Sequence, residues 1–395
     1  MHSPLSIDQN APMRWLIFAF LIGCQPLIYP DQCQEGEAPD SSCFAQKRPL
    51  DSAEVELASR LANRWMQTHA PGDLPWNWEE GVALFALTEL HRVTGDEALL
   101  DYIEAYLEHH HNEGYKVETS DQCPAAASAV SLLAHRPSPT AQTVIDRVED
   151  YLANDARRTE DGGINHMGVL AIMDPTLWVD SLFMFGEVWL RRADLEQNDA
   201  ALARFDAQFG IFSDRLQEDD GLYTHAADWI IEQTPGVFWA RGNAWVTAAG
   251  YDALRIHRLR GVGAPIHAAA LERQARRILE LQDAESGLWW TLMTEPGEAY
   301  EEVSGSALFL FGLARAWRYG FLGDEILPAL HRGKRGILAA IDERDDGPAI
   351  TGISGPTTAA TREDYLRVPL EEDLPYGVGA MILALIELAG LPEPL

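Results

Sequence analysis

The chain has 395 residues, 47% hydrophobic and 23% charged, which is enough apolar mass for a sizeable core and excludes a disordered chain. Its formal net charge is −31, from 61 acidic and 30 basic residues. That balance excludes a nucleic-acid partner, because contact with phosphates needs a basic footprint. An anionic small ligand remains compatible, provided local cations in a shielded pocket receive it.

The N-terminus reads as an address. Trp15 to Gly23 is an apolar run of about nine residues, too short for a bilayer, which takes about twenty. It suits the apolar segment of a signal peptide, with Arg14 as the positive flank. Asp8 fits that role poorly, so Met13 is the expected translation start. Leu21-Ile22-Gly23-Cys24 resembles a lipoprotein cleavage box, in which the cysteine is acylated. Residues 1–24 are therefore expected to be a cleaved signal, and lipid on Cys24 to tether the protein to a membrane. The expected location is the cell envelope, on the periplasmic or outer-membrane face; Gln25 after the cysteine favours the outer membrane. Residues 25–50, with Pro26, Pro30, Gly36 and Pro39, read as a linker. Cys33 and Cys43 flank a turn-rich segment and form a candidate disulfide. Cys123, among alanines, reads as a small buried thiol.

Residues 51–395 read as helical almost throughout. Apolar residues recur every three or four positions in Val55-Leu57-Ala58-Leu61-Ala62-Trp65, and again in Val82 to Leu90 and Leu99 to Leu107. Further helices are predicted over 125–133, 141–152, 177–190, 201–216, 245–259, 267–281, 306–317, 326–341 and 377–389, without long strand signals. His109-His110-His111 is expected to be a solvated helix end. Helices alternate between richly apolar and amphipathic, and Gly/Asp breaks recur at roughly fifty-residue intervals, the mark of repeated hairpins. Six such hairpins, apolar helices inside, predict an all-α (α/α)6 barrel. An open solenoid is the alternative; the long loops rich in Trp, Gly, Asp and His favour closure, which gathers them at one mouth. No Cys-x-x-Cys or His-Glu-x-x-His occurs, so nothing resembles a zinc cluster.

Candidate chemistry clusters where apolar helices begin. Leu177-Trp178-Val179-Asp180-Ser181-Leu182-Phe183-Met184 sets a carboxylate in an aromatic run, where burial is expected to raise its pKa and make it a general acid. Asp121 reads either as a helix cap or as a second acid. Arg241 stands between Trp239 and Trp245, a guanidinium fork for a carboxylate beside rings that stack on sugars. Trp78 opens another apolar helix, and His166 and His225 lie in connecting loops.

In this order, Trp76-Asn77-Trp78-Glu79-Glu80-Gly81, Asp121, Gly162-Gly163 with His166, Trp178-Val179-Asp180-Ser181-Leu182-Phe183-Met184 and Trp239-Ala240-Arg241-Gly242-Asn243-Ala244-Trp245 resemble glycoside hydrolase families 88 and 105. These are the unsaturated glucuronyl and unsaturated rhamnogalacturonyl hydrolases. The likeness continues through Glu302 to Ala307, Gly352 to Thr357 and Pro375 to Ala380. It implies an (α/α)6 barrel that takes oligosaccharides bearing a 4,5-unsaturated uronate at the non-reducing end, with no metal or organic cofactor. Hydration of the C4=C5 bond would start the reaction. Carried onto this chain, Asp180 would be the acid and would handle the water, with Asp121 as the second carboxylate. His166, His225 and Arg241 would contact the uronate or its hydroxyls, and Trp78, Trp239 and Trp245 would form stacking walls. Trp78 and Ala244 depart from the residues common in that pattern and leave the parent polysaccharide open. Two other readings compete: a non-catalytic glycan-binding surface lipoprotein, and a sugar epimerase on the same barrel that would need a histidine pair.

Overall fold

Polar caps start most of the amphipathic helices. The computed structural model describes residues 52–262 and 267–392; Cys24, Cys33, Cys43, the signal segment and the linker lie outside them. Ser52 caps α1 (Ala53–Thr68) through Val55 N. It is followed by α2 (Trp78–Thr94) and by α3 (Glu97–Glu113), which Asp96 caps. Next come α4 (Ala125–His135) and α5 (Pro139–Asp150), the latter capped by Ser138 with proline in its first turn. Two short pieces, α6 (Ser181–Met184) and α7 (Gly186–Leu195), precede α8 (Asp199–Leu216), which Asn198 caps. The series continues with α9 (Ala240–Leu259), α10 (Ala268–Glu280), α11 (Val303–Arg318), α12 (Leu327–Ala339), α13 (Arg362–Tyr365) and α14 (Pro375–Leu388).

The apolar helices α2, α4, α6–α7, α9, α11 and α14 pack side by side, and α14 returns to α2, so the inner ring closes. The amphipathic helices α3, α5, α8, α10, α12 and α1 form the outer layer. This is the predicted (α/α)6 barrel, with one difference in pairing: the sixth hairpin joins the two ends of the barrel, α14 inside and α1 outside. Inner helices approach closely where side chains are small. A β-carbon on Gly312 of α11 would lie 2.7 Å from the Thr247 carbonyl of α9, so only glycine fits there.

The predicted helix over 177–190 is interrupted. Leu177–Trp178 is instead β1, antiparallel to β2 (Ala226–Ala227), and the chain becomes helical only after Asp180. A hairpin of β3 (Ile341–Arg344) and β4 (Gly347–Ile350) also follows α12, and β5 (Ile353–Ser354) pairs with β6 (Leu370–Glu371). The His109–His111 tract is a solvated helix end only in part: it lies at the end of α3 with His111 exposed, but His110 is buried with Nε2 3.0 Å from the Leu74 carbonyl. Cys123 is buried and free, and burial pushes its thiol well up, away from a nucleophile.

Deep in the ring the inner helices exchange buried charges. Arg191 of α7 and Arg315 of α11 both reach Glu89 of α2, at 2.8 and 2.9 Å. The same two arginines contact Asp252 of α9, where Arg255 joins at 2.7 Å, and Arg315 Nε donates to Glu387 of α14 at 2.8 Å. Removing one member of such a network strands an uncompensated charge, at about 3–5 kcal/mol.

Candidate active site

Strand pairing, not sequence proximity, assembles the centre. Trp178 pairs with Ala226 and Val179 N donates to the His225 carbonyl at 2.9 Å, which sets the His225 ring beside the next residue, Asp180. Its Nε2 lies 3.3 Å from Asp180 Oδ2. On the other edge, Nδ1 is 2.7 Å from the Tyr365 hydroxyl of α13. Below, the ring stacks on Trp239 with centroids 4.3 Å apart.

Asp121 arrives from a second direction. It lies in the 3-10 turn Ser120–Gln122, and Ser120 N donates to the His166 carbonyl at 3.1 Å. The His166 ring lies flat on Trp178, centroids 4.5 Å apart and planes within 6°. Its Nδ1 is 2.9 Å from Ser181 Oγ and its Nε2 3.8 Å from Asp121 Oδ2. The loop carrying His166 turns at Gly168, φ +57°, where a β-carbon would sit 1.8 Å from the Glu118 carbonyl oxygen; both conditions demand glycine.

These groups open on a cavity of about 280 Å³ lined by Trp78, Asp121, His166, Trp178, Asp180, Trp239 and Arg241, with Met167, Met184 and Pro356 to Thr358 completing the wall. It therefore holds both carboxylates. Burial and the Asp180 charge push the Asp121 carboxyl up, against the opposing pull of His166. Burial alone raises Asp180 too, but the hydrogen bond and charge of His225 outweigh it and leave the carboxyl lowered. Burial in turn holds His225 below the usual imidazole range, against the pull of Asp180.

Four expectations change. Asp180 is not the raised carboxyl; a histidine the sequence could not place reverses the shift, and Asp121 is raised instead. His225 is not on the cavity wall but behind Asp180, so it adjoins the cavity only through that carboxylate. Trp245 is no stacking wall: it is fully buried and packs on Phe183 with centroids 4.7 Å apart. Arg241 reaches the cavity, but its fork is already engaged. Its two terminal nitrogens donate to the Ser354 and Gly355 carbonyls at 2.8 Å each, and the buried Glu302 lies 3.7 Å away. Trp78 does line the cavity, its ring resting against Tyr376 at 4.6 Å.

Tyr365, Tyr376, Glu302 and Thr357 were not singled out as site residues. Glu302 accepts from Ser304 N and Ser354 N at 3.0 and 3.1 Å, tying the start of α11 to the wall loop that Arg241 grips. For that group the signal was present, in the Glu302 to Ala307, Gly352 to Thr357 and Pro375 to Ala380 segments. Tyr365 had none. Among the described residues, the acids and histidines of this cavity do not converge closely enough to hold a metal ion.

The model of Glycosyl Hydrolase Family 88 matches residues 56–391, nearly the whole barrel and every wall residue named above. The chain belongs to glycosyl hydrolase family 88. An unsaturated 3S-rhamnoglycuronyl hydrolase of Formosa agariphila is 22% identical over 388 residues, covering 91% of this chain and 96% of that one. Among solved structures, a possible family 105 member from Salmonella enterica superposes with a TM-score of 0.74 at 21% identity, over 87% of this chain and 96% of that one. The unsaturated glucuronyl hydrolase of Bacillus sp. GL1 does so with a TM-score of 0.67 at 17% identity, over 85% and 96%. These two structures share the six-hairpin helical barrel. As a family 88 protein the chain is a glycoside hydrolase.

Proposed function

We propose that this family 88 enzyme releases a 4,5-unsaturated uronate from the non-reducing end of lyase-generated oligosaccharides, by hydrating the C4=C5 bond. The observation that carries this reading is the presence of Asp121 and Asp180 on the wall of one small aromatic cavity, with His225 behind the second. In the proposed reaction Asp180 gives a proton to C4 and takes one from the water that adds at C5. The hemiketal so formed opens, expelling the leaving sugar as an alcohol and leaving a keto acid. Two of the relatives named above, the unsaturated 3S-rhamnoglycuronyl hydrolase of Formosa agariphila and the unsaturated glucuronyl hydrolase of Bacillus sp. GL1, support the assignment. Trp78 offers a face for the sugar ring, Trp178, itself covered by His166, borders the cavity, and Thr357 and Thr358 line the same wall. The Arg241 charge, fixed beside the cavity, favours a uronate carboxylate without a forked contact. Two carboxylates where glycan binding alone needs none speak against a non-catalytic binder. An epimerase would need two histidines facing the sugar, and His225 stands behind Asp180. Cell-envelope location through lipid on Cys24 is proposed from the N-terminal residues alone.

The test follows the far-UV absorbance of the conjugated uronate as purified protein meets unsaturated oligosaccharides from several lyase digests. Loss of the band, absent in Asp180→Asn, is expected. A folded protein that bleaches none of the digests, or an Asp180→Asn variant as fast as the parent, would overturn the proposal.

A further inference from the structure

A second cluster of ligating groups lies far from the cavity. His257 occupies the last turn of α9, about 24 Å along that helix from Arg241 at 1.5 Å per residue. Asp206 faces it from α8, and its two oxygens lie 3.1 and 3.0 Å from His257 Nε2. His267 stands at the entry to α10, with Nε2 3.7 Å from Asp206 Oδ1. One ligand atom from each residue falls within 4.8 Å of the other two.

A simple ion pair accounts for His257 and Asp206 but leaves His267 unexplained. That ring is buried, and among the described residues neither of its nitrogens has a hydrogen-bond partner; His257 Nδ1 has none there either. Buried polar atoms are seldom left so, because each unsatisfied one costs about 1–3 kcal/mol. Phe209, with its ring centroid 4.5 Å away, and Phe205 shield the imidazole. Two imidazoles and one carboxylate are the donors that zinc-type ions favour, whereas magnesium and calcium prefer oxygen. Tetrahedral zinc holds its ligand atoms about 3.3 Å apart, and the contacts of Asp206 to the two rings bracket that spacing. Asp206 is only half-buried, which leaves a route in and a side for a fourth, exchangeable ligand.

We propose that Asp206, His257 and His267 bind one divalent transition-metal ion of the zinc type. The ion ties α8, α9 and the entry to α10 together on the face remote from the cavity, and takes no part in glycoside cleavage. No sequence motif announces it, since the three residues come from three helical segments.

The full chain, made without a histidine tag and stripped with a chelator, is titrated with zinc chloride by calorimetry. Zinc per chain is measured by elemental analysis after gel filtration, with magnesium as the control cation. One zinc per chain is expected, with a rise in Tm of several degrees under excess zinc. Asp206→Asn and His267→Gln are expected to lose both responses while keeping the Tm of the stripped parent. No bound zinc in the parent, or undiminished stoichiometry in the His257→Gln/His267→Gln double variant, would overturn the proposal. Since the readout is metal content, it is independent of turnover.

Discussion

Asp180 Oδ2 and His225 Nε2 face each other at 3.3 Å, and neither atom has another hydrogen-bond partner among the described residues. The shifts of the two groups are linked by one proton. A cationic His225 pulls Asp180 down, yet burial drives the ring itself towards neutrality. Once the ring is neutral that pull is gone, and a proton on Asp180 can be held by the bare Nε2. Tyr365, whose hydroxyl burial pushes well up, can accept from or donate to Nδ1 and so permits either tautomer.

Tyr365→Phe removes that choice without touching the cavity. The expected result is a fall in kcat of roughly tenfold to a hundredfold with KM little changed, and a displaced pH profile. A purely structural role for Tyr365 would lower Tm and leave the pH profile where it was.

Asp121→Asn tests the mutual repulsion of the carboxylates. The negative charge of each favours the proton on the other, and at Asp121 the Asp180 charge adds to the rise that burial causes. Removing that charge lets Asp180 lose its proton at lower pH. The alkaline limb of kcat/KM is therefore expected to move to lower pH in Asp121→Asn, beyond any uniform loss of rate. A limb that stays in place would show that the two charges do not communicate.

Arg241 separates binding from architecture. Its bonds to the Ser354 and Gly355 carbonyls and its approach to Glu302 make it the brace of the wall loop. Lysine supplies the charge but not the fork. Arg241→Lys is expected to lower Tm by stranding buried acceptors, at about 1–3 kcal/mol, and to abolish most turnover. Asp180→Asn, by contrast, is expected to lose turnover by roughly a hundredfold to ten-thousandfold with Tm nearly unchanged.

The barrel was legible because alternation of apolar and amphipathic helices is a local property, written in runs such as Val55 to Trp65. What escaped depends on contacts between distant segments. Leu177 and Trp178 read as helix, because an apolar run does not show that β2 will pair with it. Trp245 and Trp239 look alike in sequence, yet one faces the core and the other the cavity. Asp180 reads as a buried acid, and the sign of its shift turned on a histidine in another loop. Aromatic motifs marked the right end of the barrel, while Tyr365, on a four-residue helix with ordinary neighbours, gave no sign of its place behind His225.

Glu187 of α7 is the odd member of the buried charge network. Among the described residues its two oxygens have no hydrogen-bond partner, and Arg191 is no nearer than 3.8 Å. Burial and the Asp252 charge push its carboxyl well above the usual range, so the folded chain carries it protonated while the unfolded chain ionises it near 4.3. A raised carboxyl stabilises the fold fully only below the unfolded value. As pH climbs between the two values that contribution is lost, at about 1.4 kcal/mol per pH unit for one proton. Glutamine keeps the shape and needs no proton. Glu187→Gln is therefore expected to unfold at a higher temperature than the parent at pH 8, with the two curves converging towards pH 5. Equal Tm values at both pH values would place Glu187 in its ionised form, paired with Arg191 in the folded chain.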